Sequence, residues 1–159
     1  MTDREFFRHA LATLAYRAAK TMRGAPESFA AFSAGPNANT PLHVVAHMGD
    51  LFVWALTMLS GEPQWKPMPQ DDWDSACARF FEALKQFDTA IASTDSIPME
   101  LTRIFQGPVA DALTHTGQLA MLRRLHNAPM KGESYVRSDI QIGKVTADQT
   151  PAQPRYEFD

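Results

Sequence analysis

Four stretches of this chain carry apolar residues every three or four positions, which is the spacing that places them on one face of an α-helix. Segments rich in Gly and Pro, the residues that most readily end a helix, separate these stretches. The predicted helices cover about residues 3–22, 41–60, 73–93 and 108–127. Four amphipathic helices with no clear strand indicate an all-α fold, an up-and-down four-helix bundle.

The remaining segments are predicted to be irregular. Residues 94–107 are expected to be a loop, and Pro108 to open the fourth helix, because proline is favoured at the first helical position. Residues 129–159 are expected to be a tail that wraps the bundle, with one candidate extended piece around 140–145. A length of 159 residues is typical of a single domain, which would cover residues 1–159.

Charge and cysteine content argue against several classes of function. Fifteen Lys and Arg stand against eighteen Asp and Glu, and no basic block is present, so a nucleic-acid partner is not expected. One cysteine cannot form an internal disulfide. No signal peptide is recognisable, and no apolar run approaches the roughly 18–20 residues of a membrane span, so no membrane partner is expected and the cytoplasm is the expected location.

Two of the four apolar stripes are interrupted by ionisable residues. His47 lies within the stripe of the second helix, and Asp111 and His115 lie within that of the fourth. Moving an ionisable group from water to the buried face of a helix costs on the order of several kcal/mol of folding free energy, unless the group is paired or binds a metal. Asp111 and His115 are four residues apart, so both side chains point the same way, one turn apart.

These three residues form a candidate metal site. Two imidazoles and one carboxylate suit a divalent ion such as Zn, Ni or Fe(II). Three protein ligands leave coordination positions open, which is typical of catalytic sites. The pattern alone leaves an alternative open, in which Asp111 and His115 share a buried hydrogen bond and His47 is an unrelated core histidine.

The other histidines and the cysteine have less specific settings. His43 and His47 are also four residues apart and form a rival pair, but His43 lies in the first turn of its helix and is expected at the rim. His9 and His126 are interpreted as structural or surface residues. Cys77 lies on the apolar stripe of the third helix and is interpreted as a small buried hydrophobic residue.

Two segments resemble the DinB/YfiT-like superfamily of metal-binding proteins. The first is Thr40-Pro41-Leu42-His43-Val44-Val45-Ala46-His47-Met48, ending in Leu59-Ser60-Gly61. The second is Asp111-Ala112-Leu113-Thr114-His115-Thr116-Gly117-Gln118-Leu119, followed by Leu122-Arg123-Arg124. In that family a histidine of the second helix and an H-x-x-x-H pair ahead of x-G-Q form a metal triad.

The resemblance implies that His47, Asp111 and His115 are the triad, with Asp111 at the position where the family most often has His. It covers about residues 3–128 and implies a four-helix bundle, a homodimer and a bound Ni, Zn or similar ion. Relatives of this kind are thiol-dependent transferases or isomerases that use a low-molecular-weight thiol.

Three functions remain open. The first is a metal-dependent thiol S-transferase, or a related hydrolase, acting on a small electrophilic molecule, with Tyr135, Glu133 and His43 as candidates for a general base. The second is a ligand-binding or stress-response module without catalysis. The third is a structural dimer with a degenerate metal site.

Overall fold

The computed structural model describes residues 1–159, most of which are helical. The four long helices are α1 (Asp3–Met22), α2 (Pro41–Met58), α3 (Trp73–Ser93) and α5 (Ala110–Leu125). A short helix, α4 (Leu101–Ile104), precedes a π-helical turn at Phe105–Val109, which continues into α5. Two-residue strands, β1 (Gly132–Glu133) and β2 (Glu157–Phe158), pair antiparallel, and short 3₁₀ turns lie at Glu27–Phe29, Tyr135–Arg137 and Pro154–Tyr156. The prediction of a mostly helical fold is therefore confirmed.

Local capping explains where the first three long helices begin. The Thr2 hydroxyl accepts from the backbone N–H of Glu5, whose carboxylate accepts from the N–H of Thr2, which is a capping box. Thr40 caps α2 ahead of a proline at its first position, and Asp72 caps α3. The predicted bounds of the first and third helices agree with the structure, and α2 ends two residues earlier than predicted.

The prediction for the fourth helix was wrong at its start. The chain is already helical from Leu101, so much of the expected loop at 94–107 does not exist. Pro108 lies inside the helical run instead of opening it, and Gly107 next to it departs from helical geometry (φ −88°, ψ −107°). Proline lacks an N–H and its ring collides with the preceding turn, so the helix accommodates it by widening locally to a π turn.

The tail is mostly irregular, as predicted, but its strands lie at 132–133 and 157–158 and not around 140–145. Gly132 pairs with Phe158, and the Phe158 ring lies where a side chain at position 132 would be. A larger residue at this position would therefore have to displace the exposed Phe158 ring.

A cluster of 29 buried hydrophobic residues forms the core and includes members of all four long helices together with Val145 of the tail. Its centre contains the rings of Phe52, Phe80 and Phe87, packed at angles to one another with centroids 5.8 to 5.9 Å apart. Fully burying one such ring stabilises the fold by about 2–3 kcal/mol. None of the helices combines the length and the apolar character needed to cross a membrane.

Candidate metal centre

The structure brings together the three residues that the sequence indicated as ligands. His47 lies on α2, and Asp111 and His115 lie one turn apart on α5, which packs against α2. The atoms that each of them offers to a metal ion all lie within 4.8 Å of one another. The group is therefore able to hold one ion between the two helices.

The Asp111 carboxylate lies between the two imidazoles. Its Oδ2 is 3.4 Å from Nε2 of His47, and its Oδ1 is 3.4 Å from Nε2 of His115. A charge-assisted hydrogen bond between such groups is shorter, about 2.7–2.9 Å. Two ligands bound at about 2.1 Å in tetrahedral geometry lie about 3.4 Å apart. Both separations match the distance between two ligands of one ion, although they involve different oxygens of Asp111, and the contact with His47 is also at the long limit of a hydrogen bond. The geometry is therefore compatible with a shared ion and with the hydrogen-bonded alternative.

A hydrogen bond to Gln118 sets the tautomer of His115. The Gln118 side-chain oxygen lies 2.8 Å from Nδ1 of His115, one turn along α5. An amide oxygen only accepts, so this contact favours the tautomer with the proton on Nδ1, which leaves the Nε2 lone pair available to a metal ion. Metal-binding histidines are commonly held in this way by an acceptor on the second ring nitrogen.

The triad is half-buried and lies outside the core. The exposed fraction of the side chain is 30% for His47, 15% for His115 and 46% for Asp111. The expectation that these residues interrupt fully buried faces was therefore too strong, because they lie at the outer edge of the contact between α2 and α5. This exposure lowers the cost of placing ionisable groups here and leaves the site open to small molecules.

His47 is flanked by two aromatic rings. The ring of His115 lies 4.9 Å from it and that of Trp65 lies 5.6 Å from it, both edge-on. Trp65 also packs edge-on against Trp54 of α2, at 5.6 Å. The segment between α2 and α3 thus places an indole beside the candidate metal site.

None of the three candidates for a general base makes a hydrogen bond to the triad, and Glu133 and Tyr135 contact α1 instead. The Glu133 carboxylate accepts hydrogen bonds from Tyr16 and Lys20 of α1, each at 2.7 Å. The Tyr135 ring packs on Tyr16, and burial raises the pKa of its hydroxyl. His43 is exposed in the first turn of α2, as predicted.

The remaining histidines and the cysteine take no part in the cluster. His126 bonds to Ser28 and packs against Phe32, and His9 is half-buried on α1. Burial raises the pKa of the Cys77 thiol to about 12, with smaller contributions from nearby Asp74 and Asp72. A thiol with so high a pKa is a poor nucleophile at neutral pH, in agreement with its interpretation as a packing residue.

Sequence reasoning missed Trp65, the role of Gln118, and an ion pair between Asp50 and Arg79. Gln118 was detectable, because it stands three residues after His115 on one helical face. Asp50 is buried three residues after His47 and accepts from Arg79 of α3 at 2.6 Å. Trp65 lies between prolines in a segment without periodicity, and no local signal indicated its contact with His47.

Comparison of the chain with protein-family models, with curated proteins and with solved structures found no match.

Proposed function

We propose that this chain is a DinB/YfiT-like protein that binds one divalent metal ion through His47, Asp111 and His115 and catalyses S-transfer from a thiol to a small electrophile. The observation that supports it most directly is that the three residues each place one donor atom within 4.8 Å of the other two. Ni, Zn and Fe(II) all suit this mixed donor set.

The arrangement of the long helices supports the proposed up-and-down four-helix bundle. Helix α1 packs against α3 and α5, and α2 packs against the same two helices. Each long helix therefore has two neighbours, which closes the ring expected of a bundle. In such folds, metal sites form from side chains on facing helices, and the triad shared by α2 and α5 is of this kind.

A divalent ion at this site would lower the pKa of a thiol or a water molecule that reaches its open position. A free thiol has a pKa near 8.5 and loses its proton to solvent easily, whereas water starts near 15.7. Glu133 and Tyr135 are held by contacts with α1, and neither they nor His43 make a hydrogen bond to the triad. Thiol transfer, which needs no separate base, therefore fits this site more readily than hydrolysis.

The proposed reaction is a nucleophilic substitution at an electrophilic carbon atom. The thiol loses its proton to solvent, its sulfur forms a bond to this carbon, and the bond between the carbon and the leaving group breaks, so that the leaving group departs with the electron pair of that bond. The thiol itself would be a low-molecular-weight cosubstrate, since the pKa of about 12 makes Cys77 unsuitable.

Elemental mass spectrometry of protein purified without chelator or metal-affinity resin tests the metal site. About one equivalent of metal per chain is expected in the wild type. His115→Ala should lose it, and His43→Ala, an exposed histidine on α2, should keep it. Absence of metal in the wild type, with no rise in melting temperature on adding Ni, Zn or Fe(II), would refute the site and leave a structural dimer with a degenerate centre.

A panel of small thiols and electrophiles, tested with the metal-loaded protein, then separates catalysis from binding. Thiol-dependent turnover that disappears in His115→Ala supports the transferase. Retention of a thiol by the metal-loaded protein without turnover would indicate the ligand-binding module instead. The homodimer and the cytoplasmic location stay predictions, the first of which light scattering can measure directly.

A further inference from the structure

Two hydrogen bonds fix the segment that carries Trp65. The N–H of Gln64 donates to the Thr57 hydroxyl at 2.9 Å, and the N–H of Met68 donates to the Asp50 carboxylate at 3.0 Å. Both acceptors belong to α2, and the two anchored residues lie on either side of Trp65. Because the chain is held at both points, the indole stays beside His47.

Core packing does not explain this placement. Trp65 is 45% exposed and does not belong to the buried cluster. An indole left half in water gives up much of the free energy that its burial would provide. Its ring instead contacts Trp54 and His47 at the edge of the candidate site.

A cavity of about 380 Å³ adjoins the same residues. The residues that line it come from α2, the π turn and α5, namely Leu51, Trp54, Gln106, Gly107, Ala110, Asp111 and Thr114. Asp111 belongs to both the cavity and the triad, and Trp54 belongs to both the cavity and the tryptophan pair. The cavity therefore adjoins the candidate metal site at Asp111 and the tryptophan pair at Trp54.

The lining defines what the cavity can accept. Asp111 is its one ionisable residue, so an anionic group would find no positive side chain there and would be repelled by the carboxylate. Leu51, Trp54 and Ala110 offer apolar contacts, and Gln106 and Thr114 offer hydrogen bonds. At Gly107 no atom lies within 4 Å of the place where a side chain would start, so the π turn leaves this end open.

We infer that Trp65, Trp54 and this cavity bind the uncharged, aromatic or aliphatic body of the thiol whose sulfur reaches the metal position. The inference rests on the proposed function and narrows it, because it selects an apolar thiol over an anionic one. Trp54 supplies an aromatic wall of the cavity, Trp65 extends this wall from Trp54 to His47, and the cavity supplies the volume.

The preference for an uncharged, apolar thiol is tested by titrating the Co²⁺-loaded full chain with three thiols of similar donor strength. Phenylmethanethiol has an aromatic body, 2-mercaptoethanol a neutral polar one, and mercaptoacetate an anionic one. Thiolate-to-cobalt charge-transfer absorption reports binding without any assay of turnover. Phenylmethanethiol should bind about tenfold more tightly than either of the others, as expected for stacking on an indole with burial of a ring.

Trp65→Ala should reduce that preference to about threefold or less while one Co²⁺ per chain is retained. Trp73→Phe is the matched control, since Trp73 packs on Phe29 away from the site and its replacement should leave the preference unchanged. Equal affinities for the three thiols in the wild type, or an unchanged preference in Trp65→Ala, would overturn the inference while leaving the metal site intact. Failure of the wild type to take up Co²⁺ is seen before any thiol is added, and it would overturn the proposed function and this inference together.

Discussion

Gln118→Leu removes the oxygen that accepts from Nδ1 of His115 at 2.8 Å while keeping a side chain of similar size. Without this acceptor either ring nitrogen can carry the proton, and molecules protonated at Nε2 cannot bind metal through it. Loss of such a partner lowers metal affinity 10- to 100-fold in comparable sites. Gln118 is exposed, so water replaces part of the lost bond, and we expect about a tenfold loss, or ~1.4 kcal/mol.

The assay is competition for Zn²⁺ against a chromogenic chelator, which reports the dissociation constant directly. Gln118→Glu keeps an acceptor in the same place and should stay within about threefold of the wild type or bind more tightly. Gln86→Leu is the matched control, because Gln86 is also an exposed glutamine one turn from its partner, on α3. A wild-type affinity in Gln118→Leu, or an equal loss in Gln86→Leu, would refute the assignment of Gln118 as the residue that sets the tautomer.

Three further predictions concern the rest of the chain. Burial raises the pKa of Glu133, but hydrogen bonds led by that from Lys20 outweigh this and hold the pKa below its usual 4.5. The stabilising effect of the Glu133 carboxylate is therefore complete at neutral pH and is lost as pH falls through the lowered pKa. Glu133→Gln should reduce the free energy of unfolding, measured in urea at pH 7, by about 2 kcal/mol, and this free energy should then fall less steeply in acid than it does in the wild type. Cys77 should react with iodoacetamide at pH 8 at least ~100-fold more slowly in the folded than in the unfolded chain, as measured by mass spectrometry. Asp50→Ala leaves Arg79 without its carboxylate and should cost about 3 kcal/mol in urea, with a red shift of tryptophan emission as the anchored segment is released.

The helices that the sequence predicted well are those whose signals are local. The first and third long helices have a capping side chain at the start and an uninterrupted apolar stripe, and both can be recognised within a few residues. The fourth helix could not be delimited in this way, because Gly107 and Pro108 look the same whether a helix begins there or widens into a π turn. Burial of Ile104, just before the turn, and of Val109, its last residue, favours continuation of the helix, and this burial is a property of the packed molecule.

In the candidate site too, the features that follow from local sequence were predictable, and those that depend on the packing of distant segments were not. The relation between Asp111 and His115 follows from helical geometry and was available from spacing alone. The distance of His47 from Asp111 and His115 depends on how α2 packs against α5. The apolar faces of the two helices predicted that they pack together, but not which residues meet. Trp65 reaches the site through hydrogen bonds from an aperiodic segment, and no sequence pattern encodes such a contact.

The carboxylate at position 111 belongs both to the candidate metal site and to the adjoining cavity. Two neutral imidazoles and one carboxylate would leave a single positive charge on a divalent ion, so one anionic sulfur would make the centre neutral. A histidine at this position would leave two positive charges and would favour a second anionic group on the ligand. Because the cavity beside Asp111 contains no lysine or arginine, a neutral centre and a lining without cations would, under the proposed function, favour the same ligand, a thiol whose sulfur is its one negative atom.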